Sequence, residues 1–274
     1  MNTPILVTGG TGTIGRRVVP LLRAAGREVR ILSRHPQPDA PGVQHVAGDT
    51  VAGTGLAEAL DGVGTVLHLA GGAKGDDVSA RNVAAAANAA GSTHLLLISV
   101  VGADRMPIGY FRAKAAAEQA VAESGVPWTV LRAAQLHEFV LPIARGLARL
   151  PLMVVPGGLR FEPVHGDEVA ARLADLTLGA PAGRVSDIAG PDVLDVAELV
   201  TAYTAFHGKR RPRVPVRLPG AVGRAYRAGD NLADASALRG QRGWPEFLAE
   251  QAASTQAGLP SGVRPVDPLR RARP

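Results

Sequence analysis

The chain of 274 residues contains no cysteine, which excludes disulfides, thiolate metal sites and a cysteine nucleophile. Its seven histidines show no metal-ligand spacing, so no metal is expected. Aromatic residues make up only 4% of the chain and no nucleic-acid-binding motif occurs, so the formal net charge of +6 does not imply a specific DNA or RNA partner. The densest basic runs are Lys209-Arg210-Arg211-Pro212-Arg213 and Arg270-Arg271-Ala272-Arg273. The first reads as a solvated loop, and the second belongs to a Pro/Arg-rich tail, residues 256–274, read as disordered. No apolar run approaches the ~20 residues of a membrane-spanning helix, and no charged-then-apolar leader opens the chain. No internal repeat is present. These exclusions predict a cytoplasmic protein without a membrane partner, a monomer or homodimer that acts on a small molecule.

What is present is a 46% apolar composition, enough for a sizeable core, organised around Thr8-Gly9-Gly10-Thr11-Gly12-Thr13-Ile14-Gly15. This stretch follows the apolar run Ile5 to Val7 and opens a helix pattern at Ile14, Val18, Leu21, Leu22 and Ala25, with Gly26 as a stop and Pro20 as an expected kink. A strand, a glycine turn and a helix N-terminus together present N–H groups and a positive dipole end to a pyrophosphate. Gly9 suits the tight turn, Gly12 a close backbone approach and Gly15 close packing of helix on strand. Further short apolar runs, Glu28 to Leu32, Val43 to Ala47, Thr65 to Ala70, His94 to Ser99 and Trp128 to Leu131, alternate with helix patterns. That alternation predicts an α/β fold, a Rossmann-type doubly wound parallel sheet whose ligands bind beyond the carboxyl ends of its strands.

The residues at those ends are therefore the ones to inspect. Ser33 and Arg34 follow the second run about twenty residues past the last glycine, where an acidic residue would select NAD and Arg suits a 2′-phosphate; this predicts NADP(H) in preference to NAD(H). Arg16 or Arg17 could add a second positive contact. Asp49 follows the third run, beside an adenine pocket or as a turn cap. Ala70 and Gly71 follow the fourth, small enough to leave room for ribose and phosphates. Lys74, Asp76 and Asp77 read as a solvated loop and helix start, and Asn82 as structural.

Ser99 ends the fifth run, and Tyr110 and Lys114 lie four apart on the next helix pattern, so the two share a face. With three tyrosines and three lysines in the chain, that spacing arises by chance only about 0.03 times. A lysine beside a phenol stabilises the phenolate and brings its acidity toward the neutral range, which fits Tyr110 as a proton donor, Lys114 as its modulator and a ribose contact, and Ser99 as a donor to a substrate carbonyl.

Together with Leu97 to Gly102 and Trp128 to Arg132, the glycine turn and the Tyr110–Lys114 pair resemble the short-chain dehydrogenase/reductase superfamily, and more closely its atypical NmrA-like NAD(P)H-binding branch. The resemblance runs from Asn2 to about Gln251 and takes in Pro163 to Ala170 and Trp244 to Leu248. It implies cofactor contacts at Gly9, Thr11, Gly12, Thr13, Ile14, Gly15, Ser33, Arg34, Asp49, Ala70, Gly71 and Lys114, and catalysis at Ser99, Tyr110 and Lys114. It also implies one unit over 1–255. Its Rossmann core would be 1–132 and 160–190, and a small substrate-side cap 133–159 and 191–255. Phe161 to Val164 and Arg184 to Ile188 are expected to complete the sheet as strands, with Asp167 starting the helix between them. Gln135, His137 and Phe139 are candidate substrate contacts, with Tyr203, Phe206, Tyr226 and Trp244 either lining the cap or forming its core. The implied activity is reduction of a carbonyl, enone or quinone of a small uncharged molecule. Two rivals stay open: a non-catalytic NADP(H) sensor, and an isomerase, epimerase or dehydratase on the same scaffold.

Overall fold

Short, nearly continuous apolar runs become strands buried on both faces, and the computed structural model, which describes residues 3–72 and 75–257, shows this from the start of the chain. The first half runs β1 (Ile5–Thr8), α1 (Gly15–Ala24), β2 (Val29–Ser33), β3 (Val43–Ala47), α2 (Leu56–Leu60), β4 (Thr65–His68), α3 (Asp76–Ala89), β5 (His94–Val100), α4 (Gly109–Ala122) and β6 (Trp128–Ala133). The second runs α5 (His137–Ala148), β7 (Met153–Gly157), β8 (Arg160–Phe161), α6 (Gly166–Leu178), β9 (Gly183–Arg184), β10 (Ile188–Ala189), β11 (Leu194–Asp195), α7 (Val196–Phe206), β12 (Arg213–Arg217), α8 (Gly220–Ala228), β13 (Leu238–Arg239) and α9 (Trp244–Ala257).

The main sheet has the order β3-β2-β1-β4-β5-β6-β10-β13, with β9 also on β6, and every pairing in it is parallel. Successive β1 residues feed opposite faces: Ile5 and Val7 join α1 and α6 in one core, while Leu6 joins α2, α3 and α4 in the other. The strand order reverses between β1 and β4, where Thr8 lies opposite His68. Chain leaves these two strands in opposite directions there, opening the crevice in which doubly wound sheets bind ligands.

α1 holds Pro20 within it, at an exposed position. Two expectations change. Phe161 to Val164 does not enter the main sheet: β8 stops at Phe161 and pairs antiparallel with β11, because Pro163 cannot donate to a ladder. The sheet is extended instead by β9, β10 and β13, the last arising from the segment expected to be cap. A third core joins α5, β7, α7 and α9 through Val140, Met153, Leu199, Trp244 and Phe247. Tyr203 and Tyr226 pack against it, whereas Phe206 is exposed. α9 continues to Ala257, past the expected start of the tail, and Lys74 and residues 258–274 lie outside the described residues. Among the described residues no helix is long and apolar enough to cross a membrane.

Candidate active site

The glycine turn closes over the end of β1. Gly9 has φ +69°, and a Cβ there would stand 2.7 Å from the Ala70 nitrogen, so the turn and the β4 end are in van der Waals contact only because the residue is glycine. Gly12 N donates to Gly9 O at 3.0 Å, and a side chain on Gly15 would collide with the backbone of Gly9 and Gly10. Thr11 and Gly12 are exposed, Thr13 is half-buried, and no side chain caps α1 at Ile14. Arg16 N and Arg17 N already donate to Gly12 O (3.0 Å) and Ile14 O (2.9 Å), so an anion would be met by the N–H groups of the turn itself. The Arg17 side chain is engaged as well: its Nε donates to Asp167 Oδ1 (2.8 Å), Nη1 to Thr13 O (2.6 Å) and Nη2 to Glu138. A guanidinium already meeting two carboxylates has no fork to offer, so of the two expected candidates for a second cofactor arginine Arg17 is excluded, while Arg16 is exposed.

At the ends of β2 and β3, Ser33 Oγ accepts from His35 N (3.2 Å) and Arg34 is exposed. Asp49 Oδ1 accepts from Val51 N (2.7 Å) and Ala52 N (3.2 Å). These backbone donors and the Arg34 charge hold its carboxyl below the usual range. Asp49 is therefore a turn cap that also faces Arg34. Asn82 donates to Thr50 O and Val51 O, both at 2.9 Å, and ties α3 to this loop.

Below the crevice, Thr8 Oγ1 accepts from Ala70 N (3.1 Å) and lies 2.6 Å from His68 Nδ1. Burial, and then the Lys114 charge, push His68 down to about 3, so the imidazole is neutral. Lys114 Nζ lies 2.8 Å from Asp76 Oδ2, and Asp76 Oδ1 accepts from Gly72 N at 2.7 Å. Gly71 sits against this pair, its missing Cβ only 3.1 Å from Nζ. Tyr110, one turn before Lys114, is 38% exposed, and its phenol is pushed up to about 12 by burial and then by Asp76. The sequence predicts a phenol brought down by Lys114; the structure reverses this, first because the phenol is desolvated and then because Asp76, paired with the ammonium, adds its own negative charge. Asp76, expected in a solvated loop, is the residue sequence reasoning missed: it is 3% exposed. The visible signal was its place at the start of a helix just past the glycines that end β4.

Ser99 is set apart from Tyr110. It is buried, and its hydroxyl donates to Glu118, which is held by Arg132 Nε at 2.8 Å and Nη2 at 2.7 Å. Arg132 Nη1 also donates to Asp104 Oδ1 (2.9 Å). Glu118 lies two turns beyond Tyr110 on α4, about 12 Å along the axis. A hydroxyl has one proton to donate; that of Ser99 is committed to Glu118, so Ser99 is a strut in a buried ion-pair cluster and the expected donation to a substrate carbonyl is corrected.

The three candidate substrate contacts also separate. Gln135 is half-buried with its Oε1 buried and unpartnered. His137 is fully buried, stacked on Phe247 at 4.9 Å and beside Trp244, so it is core and cannot touch a ligand. Phe139 is 60% exposed on α5. Asp167 lies in the first turn of α6 and bridges Arg17 and Arg242, a structural role.

Comparison with known proteins bears on the family and the fold. A family profile described as NAD(P)H-binding matches residues 9–143. The chain is 35% identical over 212 residues to (4-alkanoyl-5-oxo-2,5-dihydrofuran-3-yl)methyl phosphate reductase of Streptomyces griseus, covering 75% of this chain and 74% of that protein. It is 30% identical over 255 residues to NAD(P)H azoreductase of Xenophilus azovorans, covering 89% of each. Among solved structures, NADPH-dependent quinone oxidoreductase of Escherichia coli complexed with NADPH superposes with a TM-score of 0.77 at 22% identity, over 90% of this chain and 99% of that one.

Proposed function

The chain belongs to the NAD(P)H-binding family, and from that premise we propose that it is an NADP(H)-dependent oxidoreductase of the short-chain dehydrogenase/reductase type, reducing a carbonyl, enone or quinone of a small uncharged molecule with Tyr110 as proton donor. The observation that carries this reading is the placement of Tyr110 and Lys114 on one face of α4, beside Gly71 and Asp76, at the crevice where the glycine turn of β1 meets the end of β4.

The residues present fit the cofactor. Gly9, Thr11, Gly12, Thr13, Ile14 and Gly15 form the uncapped turn for a pyrophosphate, Ser33, Arg34 and Asp49 border the adenine side, and Ala70, Gly71 and Lys114 border the central ribose. Arg34 is exposed, takes part in no ion pair within 4.0 Å among the described residues, and suits a 2′-phosphate. When bound, the nicotinamide supplies the hydride. Tyr110 supplies the proton: its phenol stays protonated through the neutral and mildly alkaline range, and so meets a substrate oxygen as an acid. Lys114, fixed by Asp76, orients the groups beside it. The relatives named above as reductases support the same reaction class.

The test compares wild type with Tyr110→Phe for NADPH binding and for NADPH oxidation against a panel of quinones, enones and ketones. Turnover that falls by about 10²- to 10⁴-fold with NADPH affinity retained is expected for loss of a general acid. Binding without turnover on the whole panel would instead favour the sensor, and product formation without net NADPH loss the isomerase.

A further inference from the structure

The positive charge of this protein is concentrated in two segments of the chain. Residues 139–161 and 199–229 contain no Asp or Glu and carry ten of the 30 Lys and Arg residues, leaving 20 against all 24 carboxylates in the remainder of the chain. The two segments meet where β7 pairs in parallel with β12, Val154 opposite Val214 and Pro156 opposite Val216. Of this ribbon, Met153 and Val155 point inward and are buried in the core shared with α5 and α7. The alternate residues point away from that core. Val154, Val214 and Val216 are 42–46% exposed, as is Leu152 just before β7. Lys209 and Arg210 flank them just before β12 and are exposed, with Arg211 half-exposed; Arg213 and Arg217 are exposed too but share the alternation of Met153 and Val155, and Arg213 donates to Thr201 Oγ1 at 3.0 Å on the inner side. None of these five takes part in an ion pair among the described residues. Asp195 shares a hollow with Arg213 on the inner side, but it is committed to capping α7.

We propose that the outer face of the β7–β12 ribbon docks on an anionic lipid bilayer, the valines and Leu152 entering the headgroup region and the flanking cations meeting lipid phosphates. Such a face matches a surface that is anionic outside and apolar just beneath. A nucleic acid would be met by stacking aromatics and polar donors, and the outward side chains here are aliphatic. Pro212 and Pro215 remove donors that an added strand would need, which disfavours edge pairing with a peptide or a second copy. The contact lies on the surface, and is distinct from spanning the membrane.

The test is co-sedimentation of the full chain with phosphatidylcholine vesicles and with vesicles of phosphatidylcholine and phosphatidylglycerol, at low and high salt. Binding to the anionic vesicles that weakens with salt is expected. The triple variant Lys209→Ala/Arg210→Ala/Arg211→Ala should bind on the order of a hundredfold more weakly, each cation contributing about five-fold. Val154→Ser/Val216→Ser should weaken binding while keeping its salt dependence. Arg270→Ala/Arg271→Ala/Arg273→Ala, in the arginine-rich tail, should bind as wild type. The ribbon residues lie outside the proposed catalytic machinery, so NADPH affinity and melting temperature serve as folding controls. No binding to anionic vesicles, equal binding to neutral ones, or loss of binding only in the tail variant would each overturn the proposal. So would polyuridylate binding that is tighter than vesicle binding and indifferent to the valine substitutions.

Discussion

The ammonium of Lys114 lies 2.8 Å from Oδ2 of Asp76, with side-chain exposures of 9% and 4%, so the cation one turn after Tyr110 on α4 is already paired within the protein. Removing one member of a buried pair strands the other charge and costs about 3–5 kcal/mol. Asp76→Asn is expected to lower stability by that order. It should also lower the phenol pKa, because Asp76 is one of the two causes that raise it to about 12. The rate of reduction should then fall away at a lower alkaline pH than in wild type. A pH–rate profile measured beside thermal melts separates the two effects; an unmoved alkaline limb would sever Asp76 from the chemistry.

Ser99 and Tyr110 are expected to behave differently. Ser99→Ala removes a hydrogen bond to the charged Glu118 and should cost about 1.5–3 kcal/mol of stability. Turnover below the melting transition should stay within about ten-fold of wild type, against the far larger loss expected for Tyr110→Phe. Steady-state kinetics at 25 °C with both variants checks this, and equal losses would restore Ser99 to the reacting centre.

Arg34→Asp exchanges a group suited to a phosphate for one suited to a ribose hydroxyl. NADPH affinity should fall on the order of 10- to 100-fold, the worth of a charge-assisted hydrogen bond or two, while NADH binding changes little or improves. Titration of both nucleotides measures the ratio. A parallel loss for both would mean that Arg34 does not touch the 2′ position.

His137 carries a pH-dependent cost. Burial, followed by the His165 and Arg242 charges, pushes its pKa down from 6.5 to about 3, and neither ring nitrogen has a partner. Between those values the unfolded chain binds the proton and the folded one does not, so this group favours unfolding increasingly as pH falls below 6.5. At pH 5 the loss amounts to about 2 kcal/mol. His137→Phe keeps the stack on Phe247 and removes the titration. It should match wild type at pH 7.5 and exceed it by about 2 kcal/mol at pH 5, measured by chemical unfolding. His68, also pushed down to about 3, preserves part of the slope.

Much of the fold was legible because its signals are local. A buried parallel strand writes itself as an apolar run, and β1, buried at every position, takes up the run Ile5 to Val7 and adds only Thr8. The reading fails where an element is two residues long: Arg184 to Ile188, expected as one strand of the sheet, enters it as β9 and β10 at its two ends, and β13 leaves no periodicity to read, its membership of the sheet depending on where the chain returns in space. His137 failed as a substrate contact for a related reason. His137 and Phe139 are two apart on α5, yet one is fully buried and the other 60% exposed. That difference is made by Trp244 and Phe247 of α9, more than a hundred residues later.

The sequence by itself determined the glycine turn, whose φ at Gly9 and contact at Gly15 only glycine accepts, and the common face of Tyr110 and Lys114, which follows from four residues of helix. Both are properties of a few consecutive residues. Tertiary structure decided which charges those groups meet. Asp76 reaches Lys114 because α3 packs on α4, and Ser99 is claimed by Glu118 because β5 lies beneath the same helix. Electrostatic environment is a sum over neighbours in space, so the acidity of Tyr110 could be read only once the elements had been brought together.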